Sequence, residues 1–512
     1  MNVENRYSAE SLQSIDVEII GRGNVGEKAS QLIEKTPLLR ELGFRTPPRT
    51  ILAEGFFDGF FQRNELGTTL LDVPQDPQVV DSIRRGSFPE EDFRTIASIV
   101  DKYSPNPLAI RSSAAGDSRG TGVYISDFDD PHPRYVRKAV QNVLGSYFSQ
   151  DAIAFRKDAH TGEGFAIMIE PLVGTLYEDG EYAPLLSGFG YTSTAQNEGY
   201  LMVVPGFGGG VDTRGGERVI RSDLEEHDGS FAHYVFTEKY KDLTYKRPRK
   251  VSMLRQNEFG RESFDNFYDG KKYLDRLRWG GRERIVESSL YFDDQTMEQF
   301  TSLNFFPFFD QLKQLEAKVG KPQYIEWALT VDQGASKIWI NQIADVQPKA
   351  DIFDFGEFGQ EVFTAASVIG AGIYKTNNVV FCESVVDIDS LRKFNATNQG
   401  YALIYSSNFT SLTGTGNKIL YSDINNAAVL IELTHEEHAG HPLSHFGGQL
   451  DMTGKLFAVA ESRDLPEDLQ EGFEVDQETG AFVLKRDVTI IGSERQNRLG
   501  IFIQDSASTP TT

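Results

Sequence analysis

The sequence predicts an α/β (α+β) chain built as one large domain followed by a smaller one. Three observations carry that reading. Helix-spaced runs and short apolar strand runs interleave through the first two thirds of the chain. Polar, glycine-containing loops follow two of those strands. From about residue 365 the texture changes to short strands separated by turns.

Residues 25–43, VGEKASQLIEKTPLLRELG, open with a glycine turn and continue with helical spacing. Leu108-Ala109-Ile110 is a short strand ending in the polar loop RSSAAGDSRGTG. Residues 136–157 place apolar groups at helical spacing, as two consecutive helices. GFAIMIEPLV (164–173) is continuously apolar, which marks a central strand. MVVPGFGGGVDTRGG (202–216) is a strand running into a glycine-rich loop. YIEWALTVDQGASKIWINQI (324–343) reads as a hairpin turning at DQGAS. Pairing symmetric about Gly334 sets Glu326 opposite Gln342 on one face, where a carboxylate and an amide oxygen can share a metal ion.

The expected boundaries are 1–346 for the first domain, 347–364 for a linker, 365–500 for the second domain and 501–512 for a disordered tail. DVQPKADIFDFGE has proline and charge but little periodicity, hence the linker; DSASTPTT has the composition of a tail. The second domain carries short strands and turns, GAGIYKTNNVVFCES, GYALIYSS, AAVLIEL and LFAVAE, and a final hairpin, FEVDQETGAFVLKRD.

A length of 512 residues gives room for two to four cores. A net charge of −24 argues against nucleic acid or an anionic membrane as the main partner, while leaving room for a phosphate ligand held by local cations. The single cysteine, Cys382, cannot form an internal disulfide, so a reducing, cytoplasmic setting is expected. MNVENRYSAESLQS lacks the pattern of a signal peptide, and no apolar run approaches a membrane span.

Arg111, at a strand end beside hydroxyls, suits phosphate oxygens; a structural salt bridge is the plainer reading of a lone arginine. Lys28, leading a helix after a glycine turn, suits phosphate too, or is simply a solvated charge. Gly206 and Gly208 in GFGGG expose backbone N–H groups that can cradle phosphates; a turn without ligand is the commoner case. Glu170 ends a buried strand before Pro171, where the neighbouring backbone can read an adenine edge; the alternative is an ordinary strand-end carboxylate. The aromatic runs GFFDGFF (55–61) and NFFPFF (304–309) fit a core better than a ligand pocket.

Of eight histidines, His435, His438, His441 and His445 fall close together. Ser444 is a good N-cap, which sets His445 in the first turn of a helix closed at Gly454. A helix start favours the neutral, nucleophilic imidazole and stabilises a phosphoryl group placed on it. The alternatives are an ordinary capping histidine and a zinc cluster; Gly440 and Pro442 count against one regular helix holding all four.

In this order the motifs resemble the phosphoenolpyruvate synthase and pyruvate phosphate dikinase family. VGEKASQL (25–32) is similar to its VGGKxASL, and LGFRTPPRTILAEGFF (42–57) to LGxPVPPGFxxTxxAF. LAIRSSAAGDS (108–118) resembles AVRSSATAED, and AVQNVLGSYFSQDAIAFR (139–156) resembles AVxxVxASLFxxRAxxYR. GFAIMIEPLVG (164–174) resembles a strand ending in VQxMV; KPQYIEWAL (321–329) and IWINQIAD (338–345) resemble RPxDIEWA and LFIVQARP. AAVLIEL…HPLSHFGGQLDMTGKLFAVA (427–460) resembles the phosphohistidine segment AxxxVTxxGGxxSHAAIxARExGIPAVV.

The resemblance implies an ATP-grasp fold followed by a small swivelling β/α/β phosphohistidine domain. It implies ATP and Mg²⁺ as cofactors and an ATP-dependent phosphotransferase releasing AMP and phosphate. By matched position, Lys28 and Arg111 would hold ATP phosphates, Glu170 would sit at the adenine hinge, Glu326 and Gln342 would bind magnesium and phosphate, and His445 would carry the phosphoryl group.

Three departures stand out. Ala344 replaces the arginine of QARP, Gly209 falls where GLGE has glutamate, and AGHPL replaces the glycine and threonine residues before the histidine. Arg214 and Lys239 are candidate substitutes nearby in sequence. Only a short tail follows the carrier segment, so no pyruvate-binding barrel is expected and pyruvate does not follow as acceptor. Rifamycin phosphotransferases and glucan dikinases are similar in their ATP and histidine parts but use other acceptors. The expected partner is a small-molecule acceptor or a separate acceptor subunit. The alternatives are a catalytically impaired nucleotide-binding regulator and a half-enzyme.

Overall fold

The structure is a computed structural model. It describes residues 16–117, 123–129, 131–159, 164–176, 181–194, 199–205, 217–225, 251–252, 263–268, 273–279, 282–287, 303–332, 335–346, 351–358, 360–383, 387–406, 420–433, 453, 455–460, 465, 467–470 and 472–503. Two compact units divide the chain: Met1–Gly120, Tyr124–Ser149 and Gly162–Val346, then Thr121–Val123, Gln150–Thr161 and Gln347–Thr512.

The first unit begins with β1 (Val17–Ile20), α1 (Gly26–Glu41), β2 (Arg49–Leu52), α2 (Asp58–Arg63), α3 (Val79–Arg85), α4 (Glu90–Tyr103), β3 (Leu108–Ala114), β4 (Asp127–Asp129) and α5 (Pro133–Ser146). After α6 (Gln150–Ala159), which belongs to the second unit, come β5 (Phe165–Pro171), β6 (Thr175–Leu176), β7 (Glu181–Ala183), β8 (Leu186–Tyr191), β9 (Tyr200–Pro205), β10 (Glu217–Ile220) and α7 (Arg221–Glu225). The unit continues with β11 (Val251–Ser252), β12 (Ser263–Tyr268), β13 (Tyr273–Trp279), β14 (Arg282–Glu287), α8 (Phe306–Val319), β15 (Gln323–Asp332) and β16 (Ala335–Asp345).

Two five-stranded sheets organise this unit. One has the order β1-β2-β5-β3-β4, with β5 central as its unbroken apolar run predicts; the other is β10-β9-β8-β15-β16. One apolar core joins α1, the first sheet and the β15–β16 hairpin through Ala29, Leu32, Ile51, Met168, Trp327 and Ile340. Helix α1 can lie this close because its first residue is glycine. Gly26 has φ +73°, and a Cβ there would sit 1.9 Å from the Ser113 carbonyl oxygen. Phe57, Phe60, Phe61 and Phe308 of the aromatic runs are core residues, each at most 1% exposed.

The second unit carries β17 (Gln360–Ile369), β18 (Ala371–Thr376), β19 (Val379–Cys382), α9 (Ile388–Thr397), β20 (Tyr401–Ser406), β21 (Ala427–Leu433), β22 (Leu456–Ala460), α10 (Glu467–Gln470), β23 (Phe473–Val475), β24 (Phe482–Leu484), β25 (Val488–Ser493) and β26 (Arg498–Ile503). They form one ten-stranded sheet, β18-β25-β26-β17-β22-β21-β20-β19-β24-β23. Strands β19 to β22 run parallel in sequence order; the flanking strands are antiparallel. Parallel neighbours need crossovers, and α9 supplies the first.

The class is mixed α and β, as expected, but three expected boundaries shift. The stretch taken as linker enters the sheet at Gln360, because Phe363 and Ala365 bury against the core while the backbone pairs with β26. The stretch taken as tail begins inside β26, which runs to Ile503. Helix α6, expected within the first domain, joins the second unit: Ser422 donates from N and Oγ to Asp151 (3.0 and 2.8 Å), and Tyr421 donates to Asp158 (3.0 Å).

Candidate functional site

Strand alternation sets Arg111 and Ser113 on one face of β3. Ser113 Oγ donates to the Val25 carbonyl (2.8 Å) and accepts from the Ala29 amide (3.0 Å), while Asn24 Oδ1 accepts from the Gly26 amide (2.7 Å). Two amides at the start of α1 are therefore engaged by protein. Lys28 does not point into solvent either. It is 6% exposed and pairs with Asp117 at 2.9 Å, and Ser112 Oγ donates to the same carboxylate at 3.0 Å. Burial pushes the Asp117 carboxyl above its usual range, against the pull of the Lys28 ammonium.

Arg111 lies in a row of four alternating charges. Arg49 Nη2 is 3.4 Å from Glu170 Oε2, Arg111 Nε is 3.7 Å from Glu170 Oε1, and Arg111 Nη2 donates to Glu326 Oε2 at 3.2 Å. The side chains of Arg49, Glu170 and Glu326 are at most 7% exposed, that of Arg111 21%. Burial works against the Arg111 charge, but the carboxylates of Glu326 and Glu170 outweigh it and raise its pKa. Tyr324 donates to Glu326 Oε1 at 3.2 Å, and burial followed by the Glu326 charge holds that phenol neutral, well above its usual pKa. Nη1 of Arg49 and Oε2 of Glu170 are buried without a hydrogen-bond partner among the described residues.

Glu326 and Gln342 face each other across β15 and β16. The route differs from the symmetric one expected about Gly334. From Asp332–Ala335 to Trp327–Ile340 the ladder is centred half a residue earlier, and a bulge at Asn341 restores the Glu326–Gln342 pair. The Asn341 carbonyl accepts from Arg111 Nη1 (3.4 Å), and its buried Oδ1 has no partner among the described residues.

Glu326 and Gln342, opposite each other in the ladder, carry oxygens of the kind a hard divalent cation takes, and the neighbouring Asn341 Oδ1 is buried without a partner among the described residues. Among the described residues no group of three or more His, Cys, Asp or Glu could hold a metal. Such an ion would take its remaining ligands from polyphosphate and water, as magnesium commonly does.

The structure thus joins Arg111, Glu170 and Glu326 through ion pairs and sets Gln342 opposite Glu326. Lys28 sits in its own pair beside the same strand. Gly206, Gly208, Gly209, Arg214, Lys239, Ser444, Gly454 and the histidines 435, 438, 441 and 445 lie outside the described residues. Arg49, Asp117, Tyr324 and Asn341 are the participants that sequence reasoning missed. Arg49 left one signal: it heads the strand RTIL and by alternation shares a side with the apolar Ile51, so it demanded a buried anion.

A partly exposed guanidinium is thus held between two buried carboxylates, with Gln342 facing one of them. The family model described as pyruvate phosphate dikinase, AMP/ATP-binding domain, matches residues 23–351, and the chain belongs to that family. No curated protein matches the chain. No helix among the described residues is long and apolar enough to cross a membrane.

Proposed function

We propose that this protein is an ATP-dependent phosphotransferase that carries the phosphoryl group on His445. In net balance, ATP, water and an acceptor hydroxyl give AMP, phosphate and the phosphorylated acceptor, and the protons of water and hydroxyl pass to solvent. The observation that carries the reading is Arg111 beside Glu326 and Gln342, in a chain of the AMP/ATP-binding family. Arg111 would grip phosphate oxygens through its fork of donors. Glu326 and Gln342 would hold magnesium, which when bound neutralises the charge of the polyphosphate. Lys28 would add charge from the start of α1, with Asp117 orienting its ammonium. Glu170 would act through Arg111 here, since its carboxylate is spent on Arg49 and Arg111. The Gly206–Gly208 loop follows directly on β9, two strands from β15, and would supply backbone donors.

One observation favours the impaired reading. Ala344 is fully buried opposite Tyr324, so no cation stands at that ladder position. Lys35, which reaches the adjacent Asp345, has its donors engaged by Gln31, Gln323 and Asp345. Incubation with magnesium and ATP labelled at the β or γ phosphorus, without acceptor, separates the two readings. Acid-labile, base-stable label with AMP release, both abolished in His445→Ala, is the expected result. Tight ATP binding with neither label nor AMP would establish the impaired reading, or a half-enzyme if a separate subunit restores turnover.

A further inference from the structure

The two carboxylates flanking Arg111 are not equivalent. Glu170 is locked: it lies between Arg111 and the fully buried Arg49, whose Nη2 also donates to the Pro47 carbonyl at 3.1 Å. Glu326 sits at the other end, where its Oε2 accepts a hydrogen bond from Arg111 Nη2 and its backbone faces Gln342 beside the bulged Asn341. The group that would grip a phosphate is therefore already gripped by an internal anion.

A bare polyphosphate must take Arg111 from Glu326. That leaves Glu326 as a buried carboxylate without its cation, beside the new negative charge. A polyphosphate that brings a divalent cation replaces what Glu326 loses at the same moment. Arg49 and Glu170 meanwhile keep Arg111 anchored from behind. We propose that Glu326 is a specificity determinant that masks Arg111 and admits only polyphosphates carrying a divalent cation. The inference rests on the assignment of this cluster as the nucleotide site and is independent of His445.

The test is isothermal titration of the full chain with ATP and with inorganic tripolyphosphate, each in excess magnesium and in EDTA. Wild type is compared with Glu326→Gln, which removes the charge and keeps an oxygen for the Tyr324 hydroxyl. The expected result is a reversal. The variant binds metal-free ATP and tripolyphosphate roughly tenfold or more tighter than wild type, as expected for loss of a charged competitor, and binds magnesium-ATP more weakly. Glu326→Asp, which keeps the charge but withdraws it by one methylene, falls between the two and stands in if the glutamine variant does not fold. Metal-free binding that is unchanged or weaker in the variants, while wild type binds magnesium-ATP, overturns the mask alone. No nucleotide binding by wild type under any condition overturns the site assignment and the mask together.

Discussion

Two cations in the first unit, Lys35 and Arg111, reach the β15–β16 hairpin, and they are treated in opposite ways. Lys35 is saturated: its ammonium donates to Gln31, Gln323 and Asp345 at 2.5, 2.8 and 2.6 Å. Gln323 in turn donates to the Pro322 carbonyl at 2.8 Å and to Asp345 at 3.1 Å. The Arg49–Glu170–Arg111–Glu326 row has contacts of 3.2 to 3.7 Å, and Arg49 Nη1, Glu170 Oε2 and the neighbouring Asn341 Oδ1 have no hydrogen-bond partner among the described residues. Buried polar groups that only hold a fold are normally satisfied. The saturated cluster fits a structural role, and the less saturated row fits the ligand-binding role proposed for Arg111.

The largest effect should come from breaking the saturated cluster. Lys35→Met is expected to cost about 3 kcal/mol at neutral pH, since it strips a cation from the buried Gln323 and the partly buried Asp345, and to leave nucleotide affinity of the folded protein unchanged. Urea denaturation reads the first part, and titration with ATP the second. The cost should also depend on acid. Hydrogen bonds from Lys321, Lys35 and Gln323 overcome burial and hold the Asp345 carboxyl at about 2, below its ordinary 3.8. A depressed carboxyl contributes stability above its unfolded value and loses it as pH falls through the folded one. The gap between wild type and variant should therefore narrow from about pH 4 towards pH 2; a constant gap would argue that Asp345 gains nothing from Lys35.

The row of charges should behave differently. Glu170→Gln alone is expected to cost about 2–3 kcal/mol, because Arg49 is left buried and uncompensated. Adding Arg49→Met should restore most of that loss, since a poorly satisfied ion pair is replaceable by neutral groups. A double-mutant cycle in denaturant checks this; additive losses would mean that Glu170 and Arg49 are not coupled and that the pair carries no stability of its own.

Part of the Arg111 row was legible in the sequence; the Lys35 cluster was not. The apolar run of β5, the RSS segment and the IEW and NQI segments of the hairpin drew attention to Arg111, Glu170, Glu326 and Gln342, although RSS lies inside β3 and not in the loop expected after Ile110. Local periodicity could not supply the bulge at Asn341: the turn starts half a residue early, and only the added residue returns Glu326 to Gln342. Nor could it show that Arg49 meets Glu170 or that Asp117 meets Lys28, because each of these contacts joins elements far apart in the chain. The transfer of α6 to the second unit had the same cause, since Asp151 and Asp158 read as ordinary helix surface until Tyr421 and Ser422 meet them.

The central claim is that Arg111 grips the phosphates, and Arg111→Lys tests it most directly. Lysine keeps the charge between Glu170 and Glu326, so the fold should survive, but it loses the planar fork. Titration of both proteins with magnesium-ATP should show affinity falling roughly tenfold or more in the variant, with a melting temperature close to wild type. Equal affinity for magnesium-ATP in the two proteins would contradict the account and reduce Arg111 to a structural ion pair.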